Sequence, residues 1–171
     1  LRVDITRGRV EPLPIAVTDF LGTNGPEKQV GRDITGVIKA DLVRSGLFRA
    51  VDPKAFINGE TSLQTLPKFS NWRVISAQAL SQGGVQIGDG GRLRVEFRLW
   101  DVVAEQQMVG KVYSTVRSNW RRIAHIIADA IYQRITGETG YFDTRIVYIS
   151  EHGAENRRIK RLAIMDQDGE N

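Results

Sequence analysis

Hydrophobic and polar positions change period several times along the chain, and each change marks an element. Leu1-Arg2-Val3-Asp4-Ile5-Thr6-Arg7 alternates apolar with polar and carries β-branched residues, which predicts a strand ended by Gly8. Pro12 and Pro14 bracket Leu13 and predict a break. The nearly continuous apolar run Ile15 to Phe20 then predicts a central strand, and Gly22 to Pro26 a loop. From Glu27 to Ser45 the period becomes helical: Val30, Ile34, Val37, Ile38 and Leu42 recur at intervals of three and four, with Gly46 as the stop. Leu47 to Val51 reads as a short strand, Asp52 to Ser70 as irregular, Asn71 to Ile75 as a short helix and Ala77 to Val85 as a strand. The most regular stretch is Arg92 to Leu99. There Leu93, Val95, Phe97 and Leu99 share one face, while Arg92, Arg94, Glu96 and Arg98 share the other, the signature of a half-buried strand. Asp89-Gly90-Gly91 supplies the turn before it, and Gln107 to Val116 completes an antiparallel meander. A second amphipathic helix runs from Asn119 to Thr136, built on Ile123, Ile126, Ile127, Ala130, Ile131 and Ile135 and stopped by Gly137.

This order predicts an α/β fold over residues 1–140: a mixed sheet of four to five strands covered by two main helices. Residues 141–171 do not belong to that layer. Thr144 to Ser150 and Ile159 to Met165 read as two strands around a polar turn, with Asp166 to Gly169 a further turn. An isolated two-stranded hairpin is marginal in water, so the segment is expected to open a β-meander repeat whose remaining strands are missing.

With 171 residues, 41% of them hydrophobic and 26% charged, the chain has the balance of a folded protein and not of a disordered one. No apolar run approaches the roughly 20 residues of a spanning helix, so direct membrane insertion is not expected. Zero cysteines exclude disulfide scaffolds, cysteine zinc sites and thiol nucleophiles. Residue 1 is Leu, with no charged region and hydrophobic stretch after it, which is expected of a chain whose targeting signal has been removed. The net charge of +4 is dispersed; the densest basic run is Arg157 to Arg161, with a smaller pair at Arg121-Arg122. Acidic residues alternate with basic ones nearly everywhere. Solvated surface charge is therefore the preferred reading, and a nucleic-acid-binding module is the alternative.

Catalytic patterns are sparse. His125 lies beside the apolar face of the second helix and His152 in the hairpin, and neither has a His, Cys or carboxylate at metal-ligand spacing. No nucleophile elbow is present. The glycines between Gly83 and Gly91 lack the Lys-Ser/Thr pair of a phosphate loop and lead into a strand, so a hairpin turn is expected. Asp166, Asp168 and Gly169 resemble the opening of a calcium loop, with a tight turn as the preferred reading. Asp41 sits inside the apolar stripe of the first helix, where a structural hydrogen bond to neighbouring backbone is preferred over a catalytic acid. No catalytic residue, metal ligand or cofactor is expected. What remains is an interaction module, and its candidate site is the N-terminal segment Leu1, Arg2, Val3, Asp4, Ile5, Thr6, Arg7 and Gly8. An extended segment can add itself to the edge of a partner's sheet, main-chain pairing supplying affinity and Val3 and Ile5 specificity. Alternatively the same residues form an edge strand of their own sheet; composition leaves both open.

Several stretches carry a family resemblance: Leu1 to Gly8, Pro14 to Phe20, Ala40 to Phe48, Asn71-Trp72, Leu99-Trp100-Asp101, Phe142 to Tyr148, and Leu162 to Gly169. In series they resemble the N-terminal part of the TolB family, the periplasmic component of the Tol-Pal system of Gram-negative bacteria. The resemblance implies an N-terminal α/β domain of anticodon-binding-domain-like fold followed by a six-bladed β-propeller, so that residues 141–171 would be the first strands of blade one. It also implies two protein partners: the TolA C-terminal domain, bound by the N-terminal strand at Leu1 to Gly8, and the lipoprotein Pal, bound by the propeller that this chain largely lacks. The implied role is a non-enzymatic periplasmic link between inner and outer membranes, serving envelope integrity and outer-membrane constriction at division, and exploited by colicins during import. Asp4 and Thr6 make this N-terminal strand more polar than a hydrophobic zipper would prefer.

Overall fold

The computed structural model describes residues 11–57 and 62–170. The N-terminal segment Leu1 to Gly8, with its expected strand, lies outside the described residues. Five strands form one mixed sheet. β1 (Leu13–Val17) is central, parallel to β2 (Phe48–Ala50) on one side and to β3 (Ala79–Ile87) on the other. β4 (Arg92–Asp101) and β5 (Gln106–Val116) extend it as the expected antiparallel meander, giving the order β2-β1-β3-β4-β5. The expected mixed sheet with two main covering helices is thus the observed architecture.

The two faces of β1 sort the core. Leu13, Ile15 and Val17 point to the face covered by α1 (Gly25–Arg44) and α3 (Trp120–Thr136), where they meet Ile34, Ile38, Leu42, Ile127 and Ile131. Ala16 points to the other face, where α2 (Phe69–Val74) brings Phe69 and Trp72 against Leu80, Trp100 and Val102. A strand covered on both sides must be apolar throughout, and all five residues of β1 are buried. β4 behaves as its alternation requires: Leu93, Val95, Phe97 and Leu99 are fully buried beneath the helices.

Two expectations need correction, and a third is narrowed. Pro14 does not interrupt the chain but lies within β1. Its neighbours bond toward β2 (Leu13 N–H to Leu47 C=O, Val51 N–H to Ile15 C=O, both 2.9 Å), and its own carbonyl accepts from Gln78 where β3 pairing begins. The missing proline N–H therefore falls at the end of a ladder, where it costs little. Helix α1 begins at Gly25, two residues before the expected start at Glu27. Asn24 caps it, accepting from the Glu27 N–H at 2.9 Å while the Glu27 carboxylate reaches back to Asn24. Gly83 and Gly84 lie in β3, as the strand reading of Ala77 to Val85 has them, and the turn expected over the glycines from 83 to 91 is confined to residues 88–91. Gly83 is required by close approach: a Cβ there would lie 2.3 Å from the buried ring of Phe20. The helix ends are as expected. Gly46 (φ 74°) follows the Ser45 cap of α1, and Gly137 (φ 85°) closes α3.

β6 (Arg145–His152) and β7 (Ile159–Asp166) pair antiparallel as a separate two-stranded sheet. Val147, Ile149 and Leu162 are 59%, 63% and 75% exposed, so this hairpin has no apolar layer of its own. The link leading to it is anchored. Phe142 is fully buried in the α1–α3 core, edge-on to Tyr132, and the Asp129 carboxylate accepts from the N–H groups of Phe142 (2.7 Å) and Asp143 (3.1 Å).

Candidate functional site at the foot of the hairpin

One group of ionisable side chains among the described residues is built around a buried Asp–His pair, and it lies where the hairpin meets the sheet domain. Helix α1 supplies Asp41, fully buried in the middle of its apolar stripe. Helix α3 supplies His125 and, one turn earlier, Arg121. The turn after β7 supplies Asp166, Gln167 and Asp168; it is closed by the Gly169 N–H to the Asp166 carbonyl at 2.9 Å, with Gly169 at φ 89°. The tight turn expected of this segment is the one found.

Asp41 is satisfied by side chains, not by the backbone partner expected of it. Its Oδ2 lies 2.6 Å from His125 Nδ1, and its Oδ1 accepts from Arg44 Nη1 (3.2 Å) and from Gln167 Nε2 (3.1 Å). A carboxylate at zero exposure is tolerable only with such a full set of partners. The opposite nitrogen, His125 Nε2, faces Asp166 Oδ2 and Asp168 Oδ2, each 3.9 Å away, and is buried without a hydrogen-bond partner among the described residues. Arg121 spans the same two carboxylates, its Nε 3.5 Å from Asp166 and its Nη2 in close contact with Asp168.

The electrostatics follow from this arrangement. Burial opposes a charge on His125, but the hydrogen bond and negative charge of Asp41, with Asp168 beyond, raise its pKa above the ordinary value of 6.5. Burial also opposes the Asp168 carboxylate, yet the Glu170 N–H and the charges of Arg121 and His125 hold its pKa below the usual 3.8. His125 and Asp168 are thereby both biased toward their charged forms.

Asp41, His125 and Asp168 place ligand atoms within 4.8 Å of one another. The fold thus puts carboxylates beside His125 that lie 84 and 43 positions away in sequence, where no spacing rule could find them. Arg121 already lies across Asp166 and Asp168 as their cation, so the geometry is that of an ion-pair network. An Asp–His pair also supplies two of the three members of a hydrolytic triad. Here the second ring nitrogen faces carboxylates, and among the described residues no hydroxyl is hydrogen-bonded to it.

A second buried carboxylate orders the start of α1. Glu27 Oε2 accepts from the Thr23 N–H (2.8 Å) and hydroxyl (2.6 Å), while its Oε1 accepts from the Ile87 N–H of β3 at 2.8 Å. The Thr23 hydroxyl is the largest influence and the Ile87 N–H the next; together they lower its pKa from 4.5 to about 2. This residue was not singled out from sequence, although Asn24-x-x-Glu27 carries the spacing of a capping box.

The fold and site together define an α/β domain tied by ion pairs to an exposed β-hairpin. The model of the TolB amino-terminal domain matches residues 1–108. The Tol-Pal system protein TolB of Paramagnetospirillum magneticum is 56% identical over 171 residues, covering all of this chain and 38% of that protein. The crystal structure of TolB from Acinetobacter baumannii superposes with a TM-score of 0.77 at 25% identity, over 99% of this chain and 40% of that one. The chain belongs to the TolB family of the Tol-Pal system, and it spans about two fifths of the length of these relatives.

Proposed function

We propose that the chain is the N-terminal part of a periplasmic, non-enzymatic adaptor that links inner- and outer-membrane components for envelope integrity and constriction. In this reading Leu1 to Gly8 is the partner-binding strand, which adds to the sheet of the TolA C-terminal domain. Residues 141–171 open a β-propeller, and Pal binds that propeller. The observation that carries the reading is the likeness to TolB across the whole chain, hairpin included. The exposed apolar residues of β6 and β7 support the propeller assignment, because a strand pair with Ile149 and Leu162 in water needs a further layer to cover it.

The nucleic-acid alternative loses its charge argument. Arg121 is committed to Asp166 and Asp168, Arg122 to Asp143 at 3.2 Å, and Arg158 and Lys160 to Glu151 at 3.3 and 2.8 Å. Basic side chains neutralised within the molecule release few counterions from a phosphate backbone.

Calorimetric titration with the TolA C-terminal domain tests the proposal. Removal of residues 1–8 is expected to abolish binding while leaving the circular dichroism spectrum and melting transition unchanged. Undiminished affinity of the shortened chain would refute it.

A further inference from the structure

We propose that the foot of the hairpin is a proton-dependent clasp: His125, protonated on both ring nitrogens, holds the Asp166–Asp168 turn against α1 and α3, and loss of one proton loosens that turn.

The groups facing His125 set the charge balance. Helix α1 presents Asp41 and, behind it, Arg44; α3 presents Arg121; the turn presents Asp166, Asp168 and the amide of Gln167. Among the described residues three carboxylates and two guanidinium groups, one of them half exposed, surround the ring, and an imidazolium meets a carboxylate at each nitrogen. Nδ1 donates to Asp41, because an ionised carboxylate has no proton to give. A neutral ring would then turn its Nε2 lone pair toward two carboxylate oxygens 3.9 Å away, buried and without a donor. A proton at Nε2 converts that repulsion into attraction. Because two of these carboxylates belong to the hairpin turn and the ring belongs to α3, the proton acts on the contact between the two units.

The direction of the pH dependence follows. Burial opposes the charge on His125; Asp41 of α1 is the first influence that raises its pKa and Asp168 of the turn adds to it, so undocking removes the Asp168 share and leaves that of Asp41. The contribution to docking is therefore complete at pH below the undocked pKa and is lost as pH rises through the higher, docked one. A single proton limits the effect to about tenfold in the docking equilibrium per pH unit.

The inference does not depend on the TolA or Pal reading, and hydrogen exchange on the full chain between pH 6 and 9 tests it. With intrinsic rates factored out, protection of the 145–166 peptides is expected to fall by up to about tenfold per pH unit at alkaline pH, while the β3–β4 peptides stay constant. His125→Gln should remove this pH dependence and His152→Gln should preserve it. Flat protection, or an equal fall in β3–β4, would overturn the clasp. So would loss of hairpin protection on adding EDTA at pH 7, restored by zinc, since the cation would then be a metal. Should His125→Gln fail to fold, nitrogen-15 correlation spectra of the wild-type ring decide the matter. Two protonated nitrogens at pH 6.5 are expected, and a neutral tautomer refutes the proposal.

Discussion

Replacing Glu27 by Gln keeps the size of the side chain and removes the charge that organises the first turn of α1. The carboxylate accepts from Thr23 N–H, Thr23 hydroxyl and Asn24 N–H through one oxygen, and from the Ile87 N–H of β3 through the other. These donors lower its pKa from 4.5 to about 2, a difference of about 2.5 units, worth at most about 3.4 kcal/mol at 1.36 kcal/mol per unit. The helix start lies near solvent, which screens part of this, so about 2 kcal/mol is expected at pH 7. Because the folded-state pKa is depressed, the contribution is present above about pH 4.5 and disappears as pH falls toward 2. Urea titrations of wild type and Glu27→Gln at several pH values measure this directly. With a slope of about 2 kcal/mol/M, the midpoints should differ by about 1 M at pH 7 and converge near pH 2. A midpoint difference that is absent at pH 7, or that persists undiminished at pH 2, would show that the charge does not act as reasoned.

Gly83→Ala should destabilise by about 1–3 kcal/mol, because its methyl would meet the buried Phe20 ring at 2.3 Å, whereas Gly36→Ala on exposed α1 surface, with open space around it, should stabilise by up to about 1 kcal/mol. Thermal melts of the two variants are expected to move in opposite directions. Phe142→Ala empties a fully buried site shared with Tyr132 and should cost about 3–5 kcal/mol in denaturant titration. The same variant should free the link into β6 and raise proteolytic cleavage between residues 137 and 144.

Local pattern was enough for much of this fold. The apolar face of α1, the alternation of β4, the meander through β5, the stop at Gly137 and the hairpin after residue 144 all follow from periodicities of 3.6 and 2, and these operate over a few neighbouring residues. Positions where a distant neighbour decides were not legible. Pro14 is a strand residue because β3 begins pairing beside it, and position 83 of the expected strand must be glycine because the Phe20 ring lies across it. The ionic joint is the extreme case. Asp41 was visible as an oddity in an apolar stripe, His125 as a histidine beside another, and Asp166 and Asp168 as a turn; nothing in their spacing connects them. Only the packing of α1 on α3, with the hairpin turn folded against both, brings their charges within 4 Å, where burial makes each depend on the others.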